Sequence, residues 1–145
     1  MIQIAHRGNL EGSNAALEND PQYVDSALDQ GFHAEVDLWV VPAGLFLGHD
    51  LGNYPITINW LHERADKLWI HCKNLLALKE LVAYKNLNYF WHQTDDFTLT
   101  SKGFIWTFPY KPTCEKSVIV NLGPSQSISP ECYGVCTDYP DTIKT

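Results

Sequence analysis

The chain has 145 residues, 45% of them hydrophobic, and a formal net charge of −7. That length and composition suit one globular domain over residues 1–145, and no apolar run approaches the ~20 residues of a membrane-spanning helix. Its ten lysines and arginines are scattered, which excludes the basic patch that nucleic-acid binding requires; an anionic small molecule would have to be met by a metal or a local cluster of cations.

Met1–Ala5 alternates Ile2 and Ile4 and reads as a first strand. Met1 leads into it without a signal peptide, so Cys72, Cys114, Cys132 and Cys136 read as free thiols of a cytoplasmic protein rather than as two disulfides. Polar residues from Arg7 to Asn14 read as a loop. Asp20-Pro21 supplies an N-cap with proline at the first helical position, and the helix runs to about Gln30, closed by Gly31. His33–Val41 is a second strand, Pro42-Ala43-Gly44 a turn, and Leu45–Gly48 a short return strand. Asn59–Ala65 reads as a brief helix and Lys67–Lys73 as a third main strand. Leu75, Leu78, Leu81 and Val82 recur at helical spacing, predicting a helix over Leu75–Lys85. Asn88–His92, Gly103–Phe108, Ser117–Leu122 and Tyr133–Thr137 bring the main strands to seven.

Strands joined by helical crossovers predict a parallel α/β fold. Seven strands without an obvious edge breaker predict a TIM-barrel-like closure. A full barrel takes ~250 residues, so in this shorter chain several outer helices must be reduced to loops.

Side chains alternate along a strand. In the second strand Glu35, Asp37 and Trp39 therefore share one face, and Val36, Leu38 and Val40 share the other. Two carboxylates on an inner face need a balancing cation, and oxygen ligands suit Mg2+ or Ca2+. An exposed acidic face is the plainer alternative; the apolar run Leu38–Val41 argues against it. In the third main strand Trp69, His71 and Lys73 share a face. His71 is a candidate third ligand, which would move the preference toward Mg2+, Mn2+ or Zn2+; otherwise it is a core histidine bonded to a carbonyl. Lys73 is placed to meet a phosphate oxygen.

His6 and His49 each stand at a strand end. Phosphodiester cleavage needs a base for the nucleophile and an acid for the leaving oxygen, and histidine titrates in the range for both. Arg7 offers its planar fork to a phosphate. Glu18 either orients Arg7 or is an ordinary surface acid. His33 and His62 read as structural. His92-Gln93-Thr94-Asp95-Asp96 is either a site rim or a polar turn, and Trp106 either a substrate wall or core packing.

Taken in order, these motifs resemble those of glycerophosphodiester phosphodiesterases, which belong to the phosphodiesterases of TIM-barrel fold. His6-Arg7-Gly8 resembles the family's opening motif, and Glu18-Asn19 its Glu-Asn pair, displaced by a few residues. Glu35-Val36-Asp37 resembles the paired metal ligands and His49-Asp50 the second catalytic histidine. Ile105-Trp106-Thr107 resembles a barrel strand, and Thr137-Asp138-Tyr139-Pro140-Asp141 the closing Thr-Asp-x-Pro signature. The resemblance implies His6 and His49 as the acid/base pair, Arg7 and Lys73 on the phosphate, and Glu35 and Asp37 on the metal. Two departures stand out. His71-Cys72-Lys73 occupies the strand where the family has Glu-x-Lys, and only Leu51–Asp66 stands where it inserts a small subdomain.

The expectation is a metal-dependent phosphodiesterase acting on a small glycerophosphodiester or sugar-phosphate diester. Arg7, Lys73, Glu18 and Trp106 would serve the substrate, and Glu35, Asp37 and His71 a divalent ion, Mg2+ ahead of Ca2+, Mn2+ or Zn2+. Two alternatives stay open: a metal-independent lyase built on the histidine pair and Arg7, and a non-catalytic phosphosugar-binding module.

Overall fold

The structure, a computed structural model, describes residues 1–124, 128 and 131–140. Asp141 of the closing signature lies outside the described residues. In chain order the elements are β1 (Ile2–His6), α1 (Pro21–Asp29), β2 (His33–Val41), β3 (Gly44–Leu47), β4 (Tyr54–Ile56), α2 (Ile58–Glu63) and β5 (Leu68–Cys72). They continue with α3 (Leu75–Leu81), β6 (Tyr89–Phe90), β7 (Phe97–Leu99), β8 (Ile105–Thr107), β9 (Ser117–Val120) and β10 (Gly134–Thr137).

Seven strands run parallel in the order β6-β5-β2-β1-β10-β9-β8. They are the seven main strands expected. Antiparallel additions flank them: β3 and β4 fold back on β2, and β7 on β8. The result corrects the TIM-barrel-like expectation. The described residues form one curled, mixed ten-stranded sheet, a half-barrel, with three short helices. Among the described residues no ladder joins β6 to β8. β6 is instead held by the turn between β7 and β8, where Ser101 N–H donates to the Tyr89 carbonyl (2.8 Å) and Tyr89 N–H donates to Ser101 Oγ (2.9 Å). Chain length is the physical reason that outer helices are missing: a helical crossover between parallel strands takes about a dozen residues or more, and residues 108–116 are too few, so β8 and β9 pair in parallel across a loop without a helix.

Each helix is set by local chemistry. Asp20 caps α1 by accepting the Gln22 N–H, with Pro21 at its first position. Thr57 caps α2 and Asn74 caps α3 in the same way. Val24, Leu61, Ala77 and Leu81 of these helices pack on Val36, Leu38, Leu68, Ile70 and Cys72 from the outer face of β2 and β5. A second cluster fills the inside of the curl: Ile4, Trp69, Phe90, Trp106, Val118 and Cys136. The period-two alternation is thus realised, with aliphatic residues outward under helices and aromatics, acids and His71 inward. No helix among the described residues is long and apolar enough to cross a membrane.

Leu38 is fully buried in the outer core. Leu38→Ala should cost about 2–5 kcal/mol of unfolding free energy in urea denaturation. Leu99→Ala, at an exposed position of β7, should stay within about 0.5 kcal/mol of the parent.

Candidate active site

One cavity of about 350 Å3 opens at the carboxyl ends of the parallel strands, lined by His6, Arg7, Glu35, Asp37, His49, His71, Lys73, His92, Gln93 and Trp106, with Val120. The structure therefore brings together every candidate site residue except Glu18, which sits behind Arg7.

Strand pairing explains the convergence. β2 lies between β1 and β5, in register His6↔Glu35 and Asp37↔His71. Inward residues of three neighbouring strands meet at one level. Glu35 and Asp37 are 3% and 1% exposed. His71 Nδ1 lies 3.2 Å from Asp37 Oδ1 and 3.9 Å from Glu35 Oε1. Candidate ligand atoms of these three residues all fall within 4.8 Å of one another.

The fit to a cation rests on two further facts. Asp37 Oδ1 is buried and accepts no hydrogen bond among the described residues; the 3.2 Å approach of His71 lacks hydrogen-bond geometry. His71 Nε2 meets the His92 carbonyl at 3.0 Å. A carbonyl only accepts, so Nε2 carries a proton; a proton on Nδ1 pairs the ring with Asp37, and a cation would take the place of that proton on the Nδ1 lone pair. A backbone carbonyl fixing the remote nitrogen is the usual support of a ligating histidine. The donor set, two carboxylates and one imidazole, suits Mg2+, Mn2+ or Zn2+ better than an all-oxygen Ca2+ site.

Burial pushes the Glu35 carboxyl up, and the Asp37 charge adds to it, against the pull of His6, Arg7 and His71. Burial also works against the Asp37 carboxylate, but His71, Arg7 and Asn19 outweigh it and hold Asp37 below the usual range. Asn19 grips Asp37 twice: its Nδ2 donates to Oδ2 (3.0 Å), and its Oδ1 accepts the Asp37 N–H (2.9 Å). Arg7 Nε lies 3.2 Å from Asp37 Oδ2, and Lys73 Nζ 3.9 Å from Oδ1.

The loop after β1 is shaped for these contacts. Arg7 and Asn19 both adopt left-handed backbone, at φ 54° and 67°; this costs Arg7 about 1–3 kcal/mol, while asparagine tolerates the region. Gly8 follows at φ 87°, where a Cβ would also press on Tyr23 and the Val24 backbone. The turn lets the Arg7 N–H reach Glu35 Oε2 (3.3 Å). Gly48 has a similar office before His49, since a Cβ there would overlap the Leu51 carbonyl oxygen.

Two carboxylates behind the cavity hold the functional groups. Asp138 Oδ1 accepts His6 Nδ1–H at 2.8 Å, leaving Nε2 toward the cavity, 3.9 Å from Glu35 Oε2. Burial opposes a charged His6, yet Asp138 and Glu35 prevail and raise its pKa. Glu18 Oε2 accepts from Arg7 Nη1 at 3.4 Å, so Glu18 orients Arg7. Asn9 joins both carboxylates: its Nδ2 donates to Asp138 Oδ1 (2.8 Å) and to Glu18 Oε1 (2.9 Å). Tyr23 O–H donates to Asn9 Oδ1 (2.9 Å) and sets which way the amide faces. His49 is more exposed, at 46%, and pairs through Nδ1 with Asp50 (2.7 Å). Trp106 is both wall and core: it lines the cavity while stacking on Phe90 at 4.5 Å.

Sequence reasoning missed Asn9, Asp138 and Tyr23 as working parts. Asp138 stood inside a recognised signature, and that was its only signal. Asn9 and Tyr23 carried none, because their roles exist only once β10 lies beside β1. His92 and Gln93 were placed at a possible rim, and the structure puts them in the cavity wall. Comparisons with protein-family models, curated proteins and solved structures returned no match.

Asn9→Ala strips a buried donor from two carboxylates and should destabilise the fold by about 1–3 kcal/mol in denaturant titration. Tyr23→Phe, which only frees the amide to flip, should cost about 1 kcal/mol.

Proposed function

We propose that the chain is a metal-dependent phosphodiesterase for a small diester, resembling glycerophosphodiester phosphodiesterases in its motifs and working from a half-barrel. The observation that carries this reading is the buried Asp37 Oδ1 without a hydrogen-bond donor, grouped with Glu35 and His71 and flanked by Arg7, Lys73, His6 and His49.

A divalent ion held by Glu35, Asp37 and His71 would supply Lewis-acid polarisation of the phosphoryl oxygen. The chain's own residues do the rest. Arg7, braced by Glu18, and Lys73 bind the non-bridging phosphate oxygens and balance charge as it grows in the transition state. His6 is fixed by Asp138 with Nε2 toward the cavity, and His49 stands at the open lip. One of the pair takes the proton of the attacking hydroxyl as its oxygen bonds phosphorus. The other gives a proton to the leaving alkoxide as the second P–O bond breaks. The nucleophile is water or a hydroxyl of the substrate itself; the latter gives a cyclic phosphate first.

The same contacts favour a second reading. Arg7 and Lys73 already bring positive charge to Asp37, so the histidine pair and Arg7 could act as a lyase without an ion. Chelation separates the two.

Full-length chain should turn over bis(p-nitrophenyl) phosphate or a glycerophosphodiester, lose that activity in EDTA and regain it with Mg2+ or Mn2+. His6→Ala should lower kcat by about 10^2–10^4, with circular dichroism unchanged. Added Mg2+ should raise Tm of the parent and leave Asp37→Asn unmoved. Turnover that survives thorough chelation defeats the metal-dependent reading. Full activity in His6→Ala defeats the acid/base assignment.

A further inference from the structure

The segment after β6 takes no part in the chemistry above, yet it forms a wall of the same cavity. Its backbone is pinned at three points. Gln93 N–H donates to Asp95 Oδ2 (3.2 Å), Thr98 Oγ1 donates to the Trp91 carbonyl (2.9 Å), and the His92 carbonyl accepts His71 Nε2 (3.0 Å). The turn is therefore built, and joined directly to a candidate metal ligand. Asp95 Oδ2 also takes the Nδ1–H of His92 at 3.1 Å. One carboxylate thus shapes the turn and chooses the tautomer of the imidazole. His92 Nε2 is left as a hydrogen-bond acceptor for the cavity. The Gln93 side-chain amide makes no hydrogen bond among the described residues; it offers both a donor and an acceptor. Trp106 closes the cavity with an apolar ring.

An imidazole nitrogen beside an amide, backed by an aromatic wall, offers directional hydrogen bonds and an apolar face. Its chemistry fits an alcohol arm with free hydroxyls, whose O–H groups donate and accept while the carbon skeleton lies on the ring. We propose that His92 and Gln93, positioned by Asp95, are the specificity-determining subsite for a hydroxylated (polyol) arm of the substrate. This rests on the phosphodiester reading for its location, since the phosphate anchors the arm beside the turn. The backbone carbonyl of His92 keeps its separate task of holding His71, and no side-chain substitution removes it.

The test is calorimetric binding to the full chain, with Mg2+ present, of glycerol 3-phosphate and n-propyl phosphate, which differ only in two hydroxyls. The parent should prefer glycerol 3-phosphate by about tenfold, the worth of one or two net hydrogen bonds. His92→Leu and Gln93→Ala should each shrink that ratio toward one, with Tm recorded to confirm that both fold. Equal binding of the two phosphates by the parent, no binding of either, or a ratio preserved in both variants overturns the subsite. The readout does not need turnover. A chain that discriminates the two phosphates but cleaves no diester loses its catalytic reading and keeps the subsite; one that cleaves diesters without discrimination does the reverse.

Discussion

Everything around the cavity answers to one constraint: two carboxylates, two residues apart on the inner face of a central strand, are almost wholly withdrawn from water. Removing such groups from solvent costs several kcal/mol per ion, and mutual repulsion adds to it. The fold surrounds them with His6 from β1, His71 and Lys73 from the end of β5, and Arg7 from the loop between β1 and α1. The compensation is uneven. Asp37 holds Asn19, Arg7 and His71 close and stays ionised. Glu35 has one backbone N–H at 3.3 Å, and its carboxyl is pushed up. A pair split in this way is poised for a cation, whose charge would favour the ionised form of both.

What was legible in the sequence follows from which interactions are local. The two-residue period of β2 and β5 put Glu35, Asp37, His71 and Lys73 on one face, because side-chain alternation needs no knowledge of partners. The helix cap at Asp20 was equally local. Closure was not. Whether parallel strands return as a barrel depends on what each connection can hold, and the short β8–β9 connection leaves no room for a helix. β4 hid behind Pro55, and β7 is only three residues after an acidic pair; each is a strand because of the edge it meets. Asn9 was illegible for the same reason, since its carboxylate partner Asp138 is 129 positions away.

The half-barrel also explains how an imidazole packs at position 71. Its ring stacks on Phe90 at 5.3 Å and 11°, and Phe90 stacks on Trp106. In a curled sheet whose β6 and β8 share no ladder, these aromatics fill the space that a closed ladder would occupy. A flat imidazole continues that stack; a glutamate would not. The imidazole at the site and the open edge of the sheet are then parts of one packing solution, in which the far nitrogen of the ring is tied to the His92 carbonyl just past the neighbouring strand.

The remaining cost sits in the backbone. Arg7 holds a left-handed conformation that its side chain disfavours, Asn19 holds one that asparagine tolerates, and the Asn19 N–H donates to the Arg7 carbonyl at 3.1 Å. The two left-handed residues therefore support each other, and each delivers a side chain to Asp37. Strain of this kind persists only where surrounding contacts over-determine it. Here those contacts are the Asn9, Glu18 and Asp138 hydrogen bonds, which tie the loop after β1 to the loop after β10. A loop held at both ends by buried carboxylates cannot relax without exposing them. The same network that fixes His6 and Arg7 in the cavity thus carries the β1–β10 pairing past the strand ends, so positioning the site and securing that seam of the sheet are one interaction.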